Sequence, residues 1–145
     1  SFKVENRWVM SKITKQTKSI MLQGMHDSII PMCIAHKNGQ LYLRNPELLK
    51  YNKDYKKQIA MQYIDTAGQL AEAYPYNPNG SIEAIAGFCS ADGRITGLIG
   101  LPERGFQVTQ LPFNDPSCKE HGPWLRIFAN ARKWVEDNPQ PPIRF

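Results

Sequence analysis

Turn chemistry recurs along this chain too often for long helices to fit between the turns. Asn38–Gly39, Asp65-Thr66-Ala67-Gly68 and Ala91-Asp92-Gly93-Arg94 each put Asn, Asp or Gly where a tight reversal needs them. Between them, residues 74–81 (YPYNPNGS) carry two prolines, two asparagines and a glycine, a mix that no regular element tolerates and that must form an ordered turn or loop. The apolar segments left over are short, and short apolar segments bounded by turns read as strands.

Residues 2–13 alternate in part through Phe2, Val4, Trp8 and Met10, the period of a strand with one buried face. Residues 29–35 (IIPMCIA) form a continuous apolar run, expected of a strand buried on both faces. With the Asn38–Gly39 turn and Leu41 to Leu43 behind it, residues 31–43 read as a hairpin. Ile59, Met61 and Tyr63 alternate toward the Asp65–Gly68 turn, with 70–74 as a possible returning strand. Residues 85–89 and 95–99 flank Asp92–Gly93 as a second hairpin. Asn45-Pro46-Glu47 starts a short, lysine-rich surface helix. Pro123 opens the best helix, whose stripe is Trp124, Phe128, Ala131 and Val135 with Ile127 and Trp134, and Asn138–Pro139 stops it. The sum is about seven short strands and two helices, an α+β piece or the late half of a larger sheet.

At 145 residues, 41% apolar and 21% charged, the chain is of ordinary globular composition, which argues against disorder, collagen and coiled coil. No apolar run approaches the roughly 20 residues of a membrane span. The first residues carry no leader pattern, and the three cysteines (Cys33, Cys89, Cys118) are odd in number and widely spaced, so a cytoplasmic, reducing compartment is expected. The chain opens on Ser1 inside a strand-like pattern, which reads as a piece of a longer polypeptide. Lysines at 3, 12, 15 and 18 and at 50, 53, 56 and 57 supply much of the net charge of +5. They lack the interleaved aromatics of a single-strand binder, so nucleic acid is not the expected partner.

The chemical candidates are few. Cys33-x-x-His36 and Cys118-x-x-His121 superficially suit zinc, but residues three apart on a strand face opposite sides, so a buried thiol and a strand-end histidine are expected instead. Cys89 ends a strand with no adjacent histidine, and packing is its expected role. There is no phosphate-cradling glycine loop of known pattern, and His26 reads as a solvated loop residue. Glu103, two residues beyond a strand terminus and held by Pro102, is a plausible orienting carboxylate.

Several segments together carry a resemblance. They are Gln23-Gly24-Met25 with Pro31 to His36 and Gly39, and Tyr63-Ile64-Asp65 with Gly68. The most specific are residues 74–81 with Ile85-Ala86-Gly87, Asp92-Gly93-Arg94, Pro102-Glu103-Arg104, and Pro123 to Phe128 with Asn130-Ala131-Arg132. In this order, from about Phe2 to Trp134, they resemble the C-terminal end of the glutaminase domain of phosphoribosylformylglycinamidine synthase, the large purine-biosynthesis form. The resemblance implies an α/β fold: the C-terminal portion of a flavodoxin-like, class I (triad-type) amidotransferase domain, with a mixed sheet, hairpins and a C-terminal helix. Residues 1–145 would then be a single partial domain without the half that carries the nucleophile elbow.

The resemblance further implies a cysteine nucleophile attacking the glutamine side-chain amide, and a histidine that activates it with a following glutamate. Ammonia would pass to an ATP-dependent synthetase domain or subunit, the implied partner, which amidates formylglycinamide ribonucleotide. ATP and magnesium would sit there, and no cofactor or metal would belong to this chain. Self-association through an open sheet edge is the other expected contact. Glu103 alone is carried over as a catalytic residue. None of the three cysteines falls at the nucleophile's place, and where the family pattern has Pro-His-Pro-Glu-Arg this chain has Gly100-Leu101-Pro102-Glu103-Arg104. Leu101 therefore stands where the base belongs, and the chain is expected not to hydrolyse glutamine by itself. The rival expectation is a non-catalytic assembly or regulatory module on the same fold.

Overall fold

The computed structural model describes residues 4–113, 116 and 119–139. Cys118, Phe2 and the residues beyond Pro139 lie outside the described residues. Five strands, β1 (Glu5–Ile13), β2 (Ile29–His36), β3 (Ile59–Tyr63), β4 (Ile85–Cys89) and β5 (Thr96–Leu98), form one sheet in the order β2-β1-β3-β4-β5. Every pairing between them is antiparallel. Two one-turn helices, α1 (Leu48–Tyr51) and α2 (Lys53–Lys56), and the longer α3 (Leu125–Asp137) complete an α/β domain with a C-terminal helix. No helix among the described residues is long and apolar enough to cross a membrane.

The hairpin at Asp92–Gly93 forms as expected, with Phe88 opposite Gly97. The one expected over 31–43 does not. The run 29–36 pairs with β1 instead, Val9 facing Met32 and Trp8 facing Cys33. Residues beyond His36 are drawn elsewhere: Asn79 donates to Gly39 O at 2.7 Å, and Leu41 N donates to the Ser81 hydroxyl at 3.1 Å. Leu41 and Leu43 then pack on a small cluster of Leu49, Ile59 and Ile85 rather than forming a strand. An Asn-Gly turn signal was satisfied by side-chain bonds from a loop some 40 residues away, a contact no local pattern reveals. The expected mate of β3 at 70–74 shrinks to a single bridge, Ile64 to Leu70, so among the described residues five strands form rather than seven.

The register of β3 on β4 shifts twice, between Ile59 and Met61 and between Met61 and Gln62. Such irregularities add twist to a sheet, and here it curls until its two edges approach. The main core fills the concave side with Val9, Ile13, Met32, Met61, Trp124 and Ile127. The stripe expected on α3 divides: Trp124 and Ile127 are buried, whereas Phe128 is 45% and Val135 57% exposed. The helix is seated by its first turn and by Asn130, which donates to Met21 O and Gln23 O, both at 2.8 Å.

Candidate functional site

The chain leaving β5 bridges the two edges of the curled sheet. Ile99 N donates to Ala86 O at 2.9 Å, and two residues later Leu101 N donates to Cys33 O on β2 at 2.8 Å. Gly100 makes the crossing. A Cβ there would lie 2.1 Å from Met32 Cγ and 3.0 Å from Cys33 O, so the backbone passes β2 at a distance only glycine permits. A single 3-10 turn, Pro102–Arg104, follows and is closed by Arg104 N to Leu101 O at 3.1 Å and Gly105 N to Pro102 O at 3.0 Å.

The far side of this turn rests on the start of α3. A Cβ at Gly105 would meet the Trp124 indole at 2.7 Å, and one at Gly122 would meet Gly105 O at 2.3 Å. Trp124 is wholly buried, and its Nε1 donates to Pro31 O at 2.7 Å. A buried indole N–H needs such a partner, and this one locks the helix to β2 directly beneath the turn. Glu103 thus projects from a backbone pinned at Gly100, Gly105 and Trp124. The residue is exposed and stands on the rim of an apolar groove of about 350 Å³ lined by Met21, Leu22, Leu98, Ile127 and Phe128.

No histidine or cysteine lines that groove among the described residues. His26 and His121 are exposed, and His36 lies at the end of β2. The Cys33 carbonyl anchors the turn, and the buried Cys33 also lines a separate depression with Trp8, Arg104 and Gln110. Cys89 is buried, with Sγ 3.9 Å from the Thr17 hydroxyl, in a packing role. Among the described residues the site therefore holds a carboxylate on a pinned turn and an apolar floor, with no imidazole between that carboxylate and a thiol.

His36 occupies a second, polar cavity of about 490 Å³ with Glu5, Asn38, Gln40 and Asn79. Both its ring nitrogens are shielded from solvent and have no hydrogen-bond partner among the described residues. The ring fills the space over Gly39, where a Cβ would come within 2.5 Å of it. The 74–81 loop forms the cavity's other wall and is ordered by its own side chains. Buried Asn77 donates to Ser81 O at 2.9 Å, Ser81 Oγ donates to Asn79 Oδ1 at 2.7 Å, and Asn79 reaches Tyr63 Oη at 3.4 Å. Burial pushes the Tyr63 phenol up to about 12, against smaller opposing effects from the Asn79 hydrogen bond and the Arg7 charge.

Sequence reasoning placed Glu103 on a turn after a strand and missed what holds it. Gly100, Gly105 and Gly122 look like ordinary loop glycines, and their close contacts depend on elements far apart in the chain. Asn130 was visible as a polar residue within a helix, but its carbonyl partners were not.

A curled antiparallel sheet closed by a C-terminal helix, with a carboxylate-bearing Pro-Glu-Arg turn clamped between them, fits an amidotransferase domain. The comparison of the whole chain agrees: residues 1–135 match the CobB/CobQ-like glutamine amidotransferase domain (GATase_5), and the chain belongs to that family. Family membership supports a glutamine-hydrolysing role for the domain.

Proposed function

We propose that this chain is the C-terminal portion of the glutaminase domain of phosphoribosylformylglycinamidine synthase, in the large purine-biosynthesis form, and that it does not itself release ammonia from glutamine. In this reading the domain works against an ATP-dependent synthetase, which holds ATP and magnesium and receives the ammonia. Glu103 is the carboxylate that would hold a catalytic imidazole in its useful tautomer. The observation that carries the reading is the aliphatic Leu101, on a backbone fixed by its bond to Cys33 O, where the resemblance puts that imidazole. A leucine accepts no proton, so a thiol presented to this site is not activated by it. Even with one member of such a unit missing, most of the covalent rate enhancement is lost.

A second reading, an assembly module that keeps the fold, draws on the exposed Phe128 at the groove beside Glu103. Treating the purified chain with glutamine, and separately with the electrophilic analogue 6-diazo-5-oxonorleucine, tests the first reading. The expected result is no ammonia and no covalent adduct on any cysteine. Ammonia release accompanied by an adduct on Cys33, Cys89 or Cys118 would overturn it.

A further inference from the structure

Lysines from both clusters of the sequence, some 40 residues apart, meet on one face of the fold. Lys12, Lys15 and Lys56 line a single cleft of about 500 Å³ between the ends of β1 and β3, α2 and the Gly68–Leu70 turn. Lys12 and Gln62 are cross-strand partners, and Lys12 alternates with the buried Ser11 and Ile13, so the cleft opens on the face of the sheet turned away from the main core. Only Lys12 is neutralised within it, by Asp27 at 3.3 Å. Among the described residues neither Lys15 nor Lys56 has an ion-pair partner. The adjoining Lys18 and Lys57 share one carboxylate, Asp54, at 3.7 and 3.0 Å. Both lysines hold that carboxyl below its ordinary range, Lys57 chiefly through a hydrogen bond.

Ammonium groups gathered with few counter-charges repel one another, and an anion placed among them removes that cost. The cleft offers more than charge. Gln16 and Gln69 also line it, and their side-chain amides have no hydrogen bond among the described residues, while Leu70, 48% exposed, gives it an apolar shelf. Its volume falls within the roughly 300–1,000 Å³ of small-molecule sites. No aromatic side chain lines it, so it has no platform on which the bases of a single-stranded nucleic acid could stack. We infer that this cleft binds a small phosphorylated ligand, its phosphates held by Lys12, Lys15 and Lys56 and its polar remainder met by Gln16 and Gln69. Lysine suits the role as a mobile point charge that follows tetrahedral phosphate oxygens.

Inorganic pyrophosphate is the probe. Titrated into isotope-labelled protein at low salt, it should give saturable one-to-one binding, with amide shifts confined to residues 12–16, 56 and 68–70, that weakens as salt is raised. Lys15→Gln with Lys56→Gln should weaken binding at least tenfold with an unchanged denaturation midpoint, since both side chains are exposed. Lys50→Gln with Lys133→Gln removes the same charge outside the cleft and should change affinity less than twofold. Equal losses in the two double variants, or shifts that neither saturate nor localise, would overturn the inference. So would a single-stranded oligonucleotide that binds more tightly than pyrophosphate, with shifts spread over lysines beyond the cleft.

Discussion

Replacing Gly100 by alanine adds one methyl group where the chain passes between β5 and β2. That methyl would sit 2.1 Å from Met32 Cγ, 2.4 Å from its Sδ and 3.0 Å from Cys33 O. Met32 is fully buried and cannot swing into solvent, and Cys33 O is committed to Leu101 N. Overpacking of this kind costs about 1–3 kcal/mol. The gain from stiffening the unfolded chain offsets about 0.4–1 kcal/mol of it. Taking the middle of each range leaves a net loss of about 1.3 kcal/mol, or about 4 °C in Tm for a chain of this size. Urea denaturation should show the midpoint falling with the slope unchanged. The decisive comparison is a double-mutant cycle with Met32→Ala. If the methyl strikes Met32, the two substitutions together should cost at least about 1 kcal/mol less than their sum. A loss below about 0.5 kcal/mol for Gly100→Ala, or strict additivity, would refute the claim that this crossing demands glycine.

Trp124→Phe keeps most of the buried ring but leaves Pro31 O without its donor, and should cost about 1–3 kcal/mol by denaturant titration. Asn130→Ala removes the donors to Met21 O and Gln23 O, and should lower stability by about 1–2 kcal/mol while raising hydrogen exchange across residues 21–25. For Tyr63 the unfolded phenol ionises near 10 and the folded one near about 12, so its contribution is complete below pH 10 and is lost as pH rises toward 12. Unfolding midpoints of wild type and Tyr63→Phe, measured from pH 9 to 11.5, should diverge in that window by an amount on the order of 2 kcal/mol, the variant losing less. Parallel curves would contradict it.

Local chemistry revealed the elements whose evidence is local. The Asp92–Gly93 hairpin, β3 and the Pro123-led helix stood where their turns and periods put them. Asp92, bonded by the Ser90 hydroxyl and the Arg94 guanidinium, has a carboxyl held below the ordinary range, a sign of how self-contained that turn is. The failures came where distant residues intervened. Asn79 and Ser81 captured the backbone at 39–41 and undid a hairpin. The apolar stripe of α3 divided, and among the described residues Phe128 and Val135 stay exposed. The turn that carries Glu103 and Leu101 was legible from its sequence, but the groove beside it needed the sheet to curl, and the register shifts in β3 that add twist to it are encoded in no periodicity.

One side chain, Leu101, decides whether this site can activate a thiol. On the proposed function, an assembly of this chain with a cysteine-bearing glutaminase half and its synthetase should release no detectable ammonia from glutamine with Leu101 and should release it in the Leu101→His variant, while synthesis fed by ammonium salts runs equally in both. Glutamine-dependent ammonia release at a comparable rate from both proteins would show that the proton acceptor lies elsewhere and contradict the account.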